Sequence, residues 1–295
     1  MPPTIFLLGA ALLLAQEKPA AHFHHIHLNS TDPASAIQFY TSRLDCEAKT
    51  FGETEQAVRT QKSWLLFHKT ASAPPAEIVS AIWHFGWGAE DMKAAYQKQL
   101  DMGTRFDTPI TDISDLANYP GFFFAYIDGP DHALIELNTA RHHHFGHLHL
   151  LSADPIAAGE WYAQHFGARL LGSGKPSRGP VLYRGFPVGP SSSLMIDNVN
   201  IIIFPMGYAQ TAFPKQWAGR KTFESTKGRV VDHIGFRVDD LAGTLKQLRG
   251  AGVRVTEPER TAYGGKIKYA FLEGPDRIRI EVLEDHLDAA NDAQP

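Results

Sequence analysis

The chain has 295 residues, of which 43% are hydrophobic and 20% charged, and its formal net charge is −4 at pH 7. This length allows two ordinary domains, each with its own hydrophobic core. The small negative charge, without a long run of one sign, argues against nucleic acid as a partner, because phosphate binding usually needs a basic face. With one cysteine, an intrachain disulfide and a zinc cluster built on thiolates are both excluded.

The first element in chain order is an apolar leader at residues 5–15. It is too short to span a bilayer but has the length of the core of a secretory signal. We therefore predict a signal peptide and short leader over 1–21, with export to the periplasm or the medium if it is cleaved. Otherwise the protein stays in the cytoplasm, and the leader is a disordered or packed N-terminal segment. No other stretch predicts a membrane span.

The histidine-rich stretch HFHHIHL at residues 22–28 recurs as HFGHLHL at 144–150, a shift of 122 positions. An Asp-Pro pair follows both copies, and the Asp side chain can cap the first turn of a helix whose first position suits proline. Each copy is therefore predicted to be a strand followed by a helix. His22 falls on His144, whereas His24 falls on Gly146, so the repeat predicts no role for His24.

A second pair of repeats lies further along the chain. YIDGPDHALIEL at 126–137 matches FLEGPDRIRIEV at 271–282, and both read as two strands joined by a Gly-Pro-Asp turn. IWHFGWGAEDM and VDHIGFRVDDL align upstream of them. These repeats predict four units, with the first like the third and the second like the fourth. The unit limits are about 22–70, 80–140, 145–206 and 229–285.

The simplest grouping of these units is two domains of two consecutive units each. It predicts a first domain over 22–140, a second over 145–285 and a flexible tail over 286–295.

Tandem βαβββ units with a histidine in the first strand, a DP…FY helix and a closing GPD…IE strand resemble the vicinal oxygen chelate superfamily. That family includes glyoxalase I, extradiol dioxygenases, fosfomycin-modifying enzymes and bleomycin-binding proteins. The resemblance covers nearly everything after residue 22. It implies an α+β fold in which four βαβββ units pair into two half-open mixed β-barrels.

The resemblance also implies metal ligands on the first strand of each unit and on the last strand of each pair. Carried over to this sequence, they are His25, His84 and Glu136 in the N-terminal half and His147, His233 and Glu281 in the C-terminal half. Two imidazoles and one carboxylate suit a divalent metal, with Fe(II) favoured and Zn, Mn or Ni as alternatives. The competing interpretation is that some of these histidines are hydrogen-bonded core residues, and that one half has kept ligands without binding metal.

Side chains two positions apart on a strand share a face. His27 therefore lies beside His25, and His149 lies beside His147. Either histidine can serve as a general acid or base near neutral pH, or simply line the barrel as a polar residue.

The resemblance to extradiol enzymes adds a tyrosine to the candidate catalytic residues. Those enzymes carry a tyrosine ten residues before the ligand glutamate, and Tyr126 stands at that distance before Glu136. Phe271 occupies the same place before Glu281. The resemblance thus implies a catalytic role for Tyr126 and none for Phe271.

Glyoxalase-like members usually carry a fourth ligand, a glutamate on the last strand of the first unit. That strand reads SWLLFHK here, without a carboxylate, and His68 is its one alternative donor. A three-ligand site favours an extradiol-type oxidoreductase acting on a small phenolic or similar substrate. The alternatives are a redox-neutral lyase, isomerase or transferase using Zn, Mn or Ni, and a small-molecule binder without turnover.

The third unit is longer than the first by two insertions rich in Gly, Pro, Ser and basic residues. Long insertions often form lids or binding loops, and a solvated surface loop is the alternative. Their basic side chains predict an anionic substrate if they face the site. These are Lys175, Arg178, Arg184, Arg220 and Lys221.

Overall fold

The computed structural model describes residues 21–52, 55–172 and 177–287. Residues 1–20 of the predicted signal peptide and leader, which were assigned to 1–21, and most of the predicted tail lie outside the described residues. Within the described ranges, no helix is long and apolar enough to cross a membrane.

The chain forms the four predicted units, and each opens with a strand and a helix. The first contains β1 (His22–Ser30), α1 (Pro33–Arg43), β2 (Glu47–Phe51), β3 (Glu55–Thr60) and β4 (Ser63–Lys69). The second contains β5 (Ile82–Ala89), α2 (Met92–Asp101), β6 (Phe106–Asp112), α3 (Ser114–Ala117), β7 (Phe123–Asp128) and β8 (Leu134–Thr139).

The third and fourth units repeat this plan, with the third extended as the sequence predicted. The third contains β9 (Phe145–Ser152), α4 (Pro155–Phe166), β10 (Arg169–Leu170), β11 (Val181–Tyr183), β12 (Phe186–Gly189), β13 (Ser192–Ile196), β14 (Val199–Pro205) and α5 (Met206–Ala212). The fourth contains β15 (Val231–Arg237), α6 (Leu241–Gly250), β16 (Val255–Ala262), β17 (Ile267–Glu273) and β18 (Arg279–Asp285).

The predicted helix starts are confirmed by their capping bonds. Asp32 accepts a hydrogen bond from the backbone N–H of Ser35 at 3.2 Å, and Asp154 accepts one from that of Ala157 at 3.0 Å. Proline occupies the first turn of both helices. An Asp followed by Pro therefore fixes the point at which each first strand gives way to its helix.

Sixteen of the described strands form two open eight-stranded mixed sheets, and β11 pairs with β12 in a separate two-stranded sheet. One has the order β16-β17-β18-β15-β1-β4-β3-β2, and the other has the order β10-β13-β14-β9-β5-β8-β7-β6. The first sheet thus combines the first and fourth units, and the second combines the second and third. At the centre of each sheet, two first strands pair antiparallel, β1 with β15 and β5 with β9.

This pairing corrects the grouping predicted from the sequence. The stretches 22–140 and 145–285 do repeat each other, but each sheet takes one unit from each stretch. The physical reason is the connection between β8 and β9, which leaves only residues 140–144 between them. So short a link keeps β8 and β9 in one sheet, where β5 lies between them. The second and third units therefore pair, and the first is left for the fourth.

Two β-bulges interrupt each central strand pair. In the first sheet the register shifts leave His24 of β1 and Asp232 of β15 as extra residues. In the second sheet the extra residues are Gly146 of β9 and Trp83 of β5. A bulge re-aims the side chains beside it, so these four positions flank the histidines of the central strands.

Glycines opposite two of the histidines make room for imidazole rings. His25 pairs with Gly235, and a Cβ at that glycine would lie 2.1 Å from His25 Cε1. His147 pairs with Gly86, and a Cβ there would lie 2.2 Å from His147 Cε1. Each ring therefore lies against the neighbouring strand, in the space that a side chain at the glycine position would occupy.

The Gly-Pro-Asp turns tie consecutive units together. Asp131, with φ of 51°, accepts hydrogen bonds from Ser30 Oγ at 2.6 Å and Thr31 Oγ1 at 2.7 Å. Asp276, with φ of 56°, accepts one from Ser152 Oγ at 2.5 Å. The turn of the second unit thus holds the end of β1, and the turn of the fourth holds the end of β9.

Aromatic side chains fill the space between the two sheets. Phe23 of the first sheet contacts Phe145 of the second, with ring centroids 5.8 Å apart. Tyr40 of α1 packs on Trp87 of the second sheet, and Tyr162 of α4 packs on Phe236 of the first. Helices of the first and third units therefore lie between their own sheet and the other sheet, and both sheets share one core.

The second insertion of the third unit does not form a lid. Trp217 Nε1 donates to the carbonyl of Ile78 at 2.8 Å, and the Gln216 side-chain oxygen accepts from the N–H of Ile78 at 2.6 Å. The insertion therefore packs on the segment that joins the first two units.

We predict that Gly235→Ala destabilises the protein by about 1–3 kcal/mol, because the new methyl group overpacks the ring of His25. Gly250→Ala is the matched control, since nothing lies within 4 Å of its Cβ position at the end of α6. Chemical denaturation of both variants checks this. Equal unfolding midpoints for the two variants would contradict the close approach of His25.

Candidate metal centres

The first cluster of ligand-type residues, site 1, consists of His25, His27, His233 and Glu281. β1 supplies the first two, β15 the third and β18 the last. The three histidines each offer a ring nitrogen within 4.8 Å of the others. Glu281 Oε2 lies 2.9 Å from His233 Nε2 and 3.5 Å from His25 Nε2. Three strands of one sheet thus direct imidazoles and a carboxylate at one point.

Behind His233, a buried carboxylate orients the ring. Asp232 Oδ1 lies 2.6 Å from His233 Nδ1 and accepts a second hydrogen bond from Arg279 Nη1, also at 2.6 Å. The Arg279 guanidinium also donates to Glu257 at 2.8 Å and lies over the ring of Phe271, 3.4 Å from its centroid. Its charge is therefore paired with two carboxylates, whereas its Nε is buried without a hydrogen-bond partner.

Behind His25 lies a second histidine. His24 Nδ1 lies 2.8 Å from His25 Nδ1, and His24 Nε2 lies 3.2 Å from Asp285 Oδ2. His24 and Asp285 are both buried. The bulge at His24 allows adjacent residues of β1 to turn their rings toward each other.

The surroundings of site 1 set the charge of its groups. Burial lowers the pKa of His25 to about 4. Burial alone would raise the pKa of Glu281, but His233 and His25 outweigh it and hold that pKa well below its usual range. Burial alone would lower the pKa of His233, but bonds to Asp232 and Glu281 raise it. At neutral pH His25 is therefore neutral and Glu281 ionised, the forms that bind metals.

Site 1 lies at the end of a cavity of about 380 Å³. Beyond the ligand-type residues its walls are mainly aromatic and aliphatic. The apolar wall consists of Phe51, Leu66, Tyr263, Ile267, Tyr269, Phe271 and Leu283. Asn29 and the exposed His68 add polar groups. Among the described residues that line the cavity, Arg279 is the one Arg or Lys, and its charge is already paired.

The second cluster, site 2, consists of His84, Glu136, His147 and His149. Its first three members offer donor atoms within 4.8 Å of one another. Glu136 Oε2 lies 2.8 Å from His84 Nε2, and its Oε1 lies 3.6 Å from His147 Nε2. Asn138 Nδ2 donates to Glu136 Oε1 at 3.0 Å. All four members of the cluster are buried, and burial lowers the pKa of His147 to about 4.

Aromatic residues surround site 2. Tyr126 lies directly opposite Glu136 on β7, and burial together with that carboxylate raises the pKa of its hydroxyl well above the usual value. The ring of His149 packs on Trp83 with centroids 4.8 Å apart, and Tyr208 of α5 covers Trp83 at 4.5 Å. The helix that follows β14 therefore forms part of this site's wall.

The structure regroups the predicted ligand sets. His25 lies with His233 and Glu281, whereas His84 and Glu136 lie with His147. His25 and His84, predicted to share one metal, belong to different sheets. The regrouping follows from the strand pairing: a site forms where two first strands meet, and those strands come from different halves of the chain.

The remaining predicted residues divide between the two sites. His27 lies at site 1, whereas Tyr126 and His149 lie at site 2. His68 lines the cavity of site 1 but lies outside the ligand cluster. On β4 the residue in register with His27 is Leu66, so this strand places no carboxylate beside the cluster.

Sequence reasoning missed the groups behind the ligands. Asp232 stands next to His233, and Asp285 stands four positions after Glu281, hence on the same face of β18. The positions of both acids relative to the predicted ligands can be read from the sequence. The repeat predicts no role for His24, because its partner is Gly146, but the structure places His24 directly behind His25.

The donor atoms of both sites fit a divalent metal. His25 Nε2 and His147 Nε2 are buried without a hydrogen-bond partner. Each lies about 3.5 Å from a glutamate oxygen, too far for a good hydrogen bond. A cation held between nitrogen and oxygen would satisfy both atoms, and this donor set suits Fe, Mn, Zn or Ni.

Comparison with known proteins places the chain in a family. The model of the Glyoxalase/Bleomycin resistance protein/Dioxygenase superfamily matches residues 22–137 and 144–282. A lactoylglutathione lyase of Haemophilus influenzae is 36% identical over 58 residues, which is 20% of this chain and 43% of that protein. A probable chloroplastic lactoylglutathione lyase of Arabidopsis thaliana is 37% identical over 57 residues, 19% of this chain and 16% of that protein. The chain thus spans less than half the length of these curated relatives.

Solved structures share the fold over most of the chain. Glyoxalase I from Zea mays superposes with a TM-score of 0.68 at 12% identity, covering 92% of this chain and 95% of that one. A putative dioxygenase from Bacillus subtilis superposes with a TM-score of 0.63 at 15% identity, covering 91% and 86%. These agreements confirm the predicted α+β architecture of paired, half-open sheets. The two matched segments together cover most of the sequence, and the chain belongs to the Glyoxalase/Bleomycin resistance protein/Dioxygenase superfamily.

Proposed function

We propose that the protein is a metal-dependent enzyme whose reaction takes place at site 1. Its substrate would be a small, uncharged, phenolic or similar molecule that presents two adjacent oxygen atoms. The observation that supports this most strongly is the cavity of about 380 Å³ that ends on His25, His233 and Glu281. A chelating head at the ligands and an apolar body against the aromatic wall would fill it.

We propose that His25, His233 and Glu281 hold the metal. A divalent ion there would bind the two substrate oxygens, and as Fe(II) it would also activate dioxygen. The protein's part is to keep both rings aimed at the carboxylate, which Asp232 does for His233. The apolar wall keeps water away from the bound substrate.

His27 is the proposed general acid or base of site 1. Its Nδ1 is buried without a hydrogen-bond partner, and its ring lies 4.5 Å from that of His233. It faces the same cavity as the ligands. A substrate hydroxyl held at the ligands would therefore come close to His27, which can take its proton.

Two features favour the extradiol type of reaction over the glyoxalase type at site 1. Leu66 takes the place on β4 in register with His27, so this described strand supplies no carboxylate as a fourth ligand. The paired Arg279 leaves the described cavity wall without a free cation for a carboxylate-bearing substrate such as a glutathione conjugate.

The basic residues of the insertions do not change this preference. Arg178, Arg184 and Arg220 pair with acidic side chains at the surface and do not line the cavity of site 1. Lys175 lies outside the described residues. We therefore propose an uncharged substrate in place of the anionic one that the insertions suggested.

A redox-neutral lyase or isomerase is the second candidate function. It is favoured by the identities of 36% and 37% to lactoylglutathione lyases, although these cover short segments. Zn, Ni or Mn would then replace Fe(II).

For site 2 we propose a second metal ion held by His84, Glu136 and His147. Tyr126 and His149 would then be its proton-transfer groups, as their positions beside His84 support. The aromatic wall of Trp83 and Tyr208 suits an apolar ligand there.

We expect Glu281→Gln to abolish turnover with loss of metal from site 1, because it removes the carboxylate shared by His25 and His233. Glu136→Gln is the matched control and should lose metal from site 2 while keeping turnover. Metal analysis of protein purified without chelator, with oxygen uptake on a panel of catechols, measures both effects.

The same measurements separate the alternatives. Turnover lost in Glu136→Gln but kept in Glu281→Gln would move the reaction to site 2. Zinc or nickel without oxygen uptake, together with turnover of a glutathione hemithioacetal, would establish the second candidate function. Bound metal without either activity would indicate a binding protein.

We expect His27→Gln to lower turnover by about 10²–10⁴-fold while leaving the metal content of site 1 unchanged, because a general acid or base acts on the substrate. His149→Gln at site 2 is the control. Steady-state kinetics and metal analysis check this. Loss of metal in His27→Gln would instead make His27 a ligand.

A further inference from the structure

Two buried hydrogen-bond chains lie behind site 1, and both pass through a bulge residue. One runs from Asp285 through His24 to His25, and the other consists of Asp232 bonded to His233. His24 and Asp232 are the extra residues of the two bulges in the β1–β15 pair. The bulges thus place hydrogen-bonding groups directly behind the rings that face Glu281.

The partners in the longer chain define which nitrogen carries hydrogen. A carboxylate only accepts, so Asp285 Oδ2 receives the hydrogen of His24 Nε2 across 3.2 Å. A neutral His24 then has its lone pair on Nδ1, and it accepts the N–H of His25 Nδ1 across 2.8 Å. His25 is left with its lone pair on Nε2, which lies toward Glu281.

The same reasoning applies to His233. Asp232 accepts the hydrogen of Nδ1. The other ring nitrogen, Nε2, lies 2.9 Å from Glu281 Oε2, and any hydrogen on it is donated to that carboxylate. Both rings of site 1 thus bond through Nδ1 to a group behind them and direct Nε2 at Glu281, toward the position at which a cation would lie.

Among the described residues, site 2 has no comparable acceptor behind its rings. Its bulge residues are Gly146 and Trp83, neither of which offers a side-chain acceptor. Asn138 Nδ2, which donates to Glu136, lies 3.5 Å from His147 Nδ1. At that distance the contact does not fix which nitrogen of His147 carries hydrogen. His84 Nδ1 is buried without a partner.

From this difference we propose that His24, held by Asp285, is a positioning residue that presets His25 for metal binding, and that site 1 consequently takes a divalent cation before site 2. Carboxylates and carbonyls that orient a ligand histidine typically contribute 10- to 100-fold to metal affinity. Here a neutral histidine transmits the effect of the carboxylate. The inference rests on the proposed metal at site 1 but not on any reaction there.

The test is a titration with Co(II), followed by calorimetry and by the visible absorption of the bound ion. Site 1 is isolated in a Glu136→Gln background and site 2 in a Glu281→Gln background. We expect site 1 to bind Co(II) more tightly than site 2. In the first background, His24→Phe should weaken binding by about 10- to 100-fold.

Conservative variants separate positioning from packing. His24→Gln keeps an acceptor toward His25 and a donor toward Asp285, so it should restore most of the affinity and the absorption spectrum. Asp285→Leu should weaken binding as His24→Phe does, whereas Asp285→Asn keeps an acceptor oxygen and should not. His22→Phe, on the same strand but bonded to Asp197, is the control without effect. Circular dichroism and the unfolding midpoint of the metal-free variants verify the fold.

Equal Co(II) affinities at the two sites would overturn the proposal, as would wild-type affinity in His24→Phe or equal losses in His24→Phe and His24→Gln. Failure of site 1 to bind Co(II) in the Glu136→Gln background would reject the proposed function as well. Normal Co(II) binding and catechol turnover in His24→Phe would reject the role of His24 and leave the proposed function standing.

Discussion

The arrangement of the molecule depends on the antiparallel pairing of first strands from opposite halves of the chain. β1 with β15 and β5 with β9 form the centre of the two sheets. The glycines in these strands let imidazoles lie across the partner strand, and the bulges turn adjacent side chains toward them. Both candidate metal centres, and the placement of the helices between the sheets, follow from this pairing.

Much of the local structure could be predicted from the sequence because its causes are local. Asp32 and Asp154 cap their helices through bonds three residues away, and the Gly-Pro-Asp turns need only their own backbone. The individual ligand positions were also recognisable from the repeats. The grouping of those positions was not, because repeats report similarity between strands and not which strands share hydrogen bonds. His24 and Asp232 act through bulges, which arise only once the partner strand is in place.

The two centres show how one donor set can differ in its surroundings. Both contain two imidazoles and a glutamate in the same strand register, yet Asp232 and His24 behind site 1 correspond to Trp83 and Gly146 at site 2. Another such position is occupied by Phe204 beside His149 at site 2, and by His68 in the repeat at site 1. The positions around the ligands have therefore diverged further than the ligands themselves, and the difference between the sites lies in these neighbours.

The exchange of units between the sheets also sets an order for assembly during synthesis. The strands that hold His84, Glu136 and His147 are complete by Ser152, whereas site 1 joins β1 to β15 and β18, across more than two hundred residues. Contacts of such long sequence separation form late and at a high cost in loop entropy. Until the fourth unit leaves the ribosome, β1 has an unpaired edge and its histidines face no carboxylate. A metal ion arriving early therefore meets a finished site 2 and an unfinished site 1.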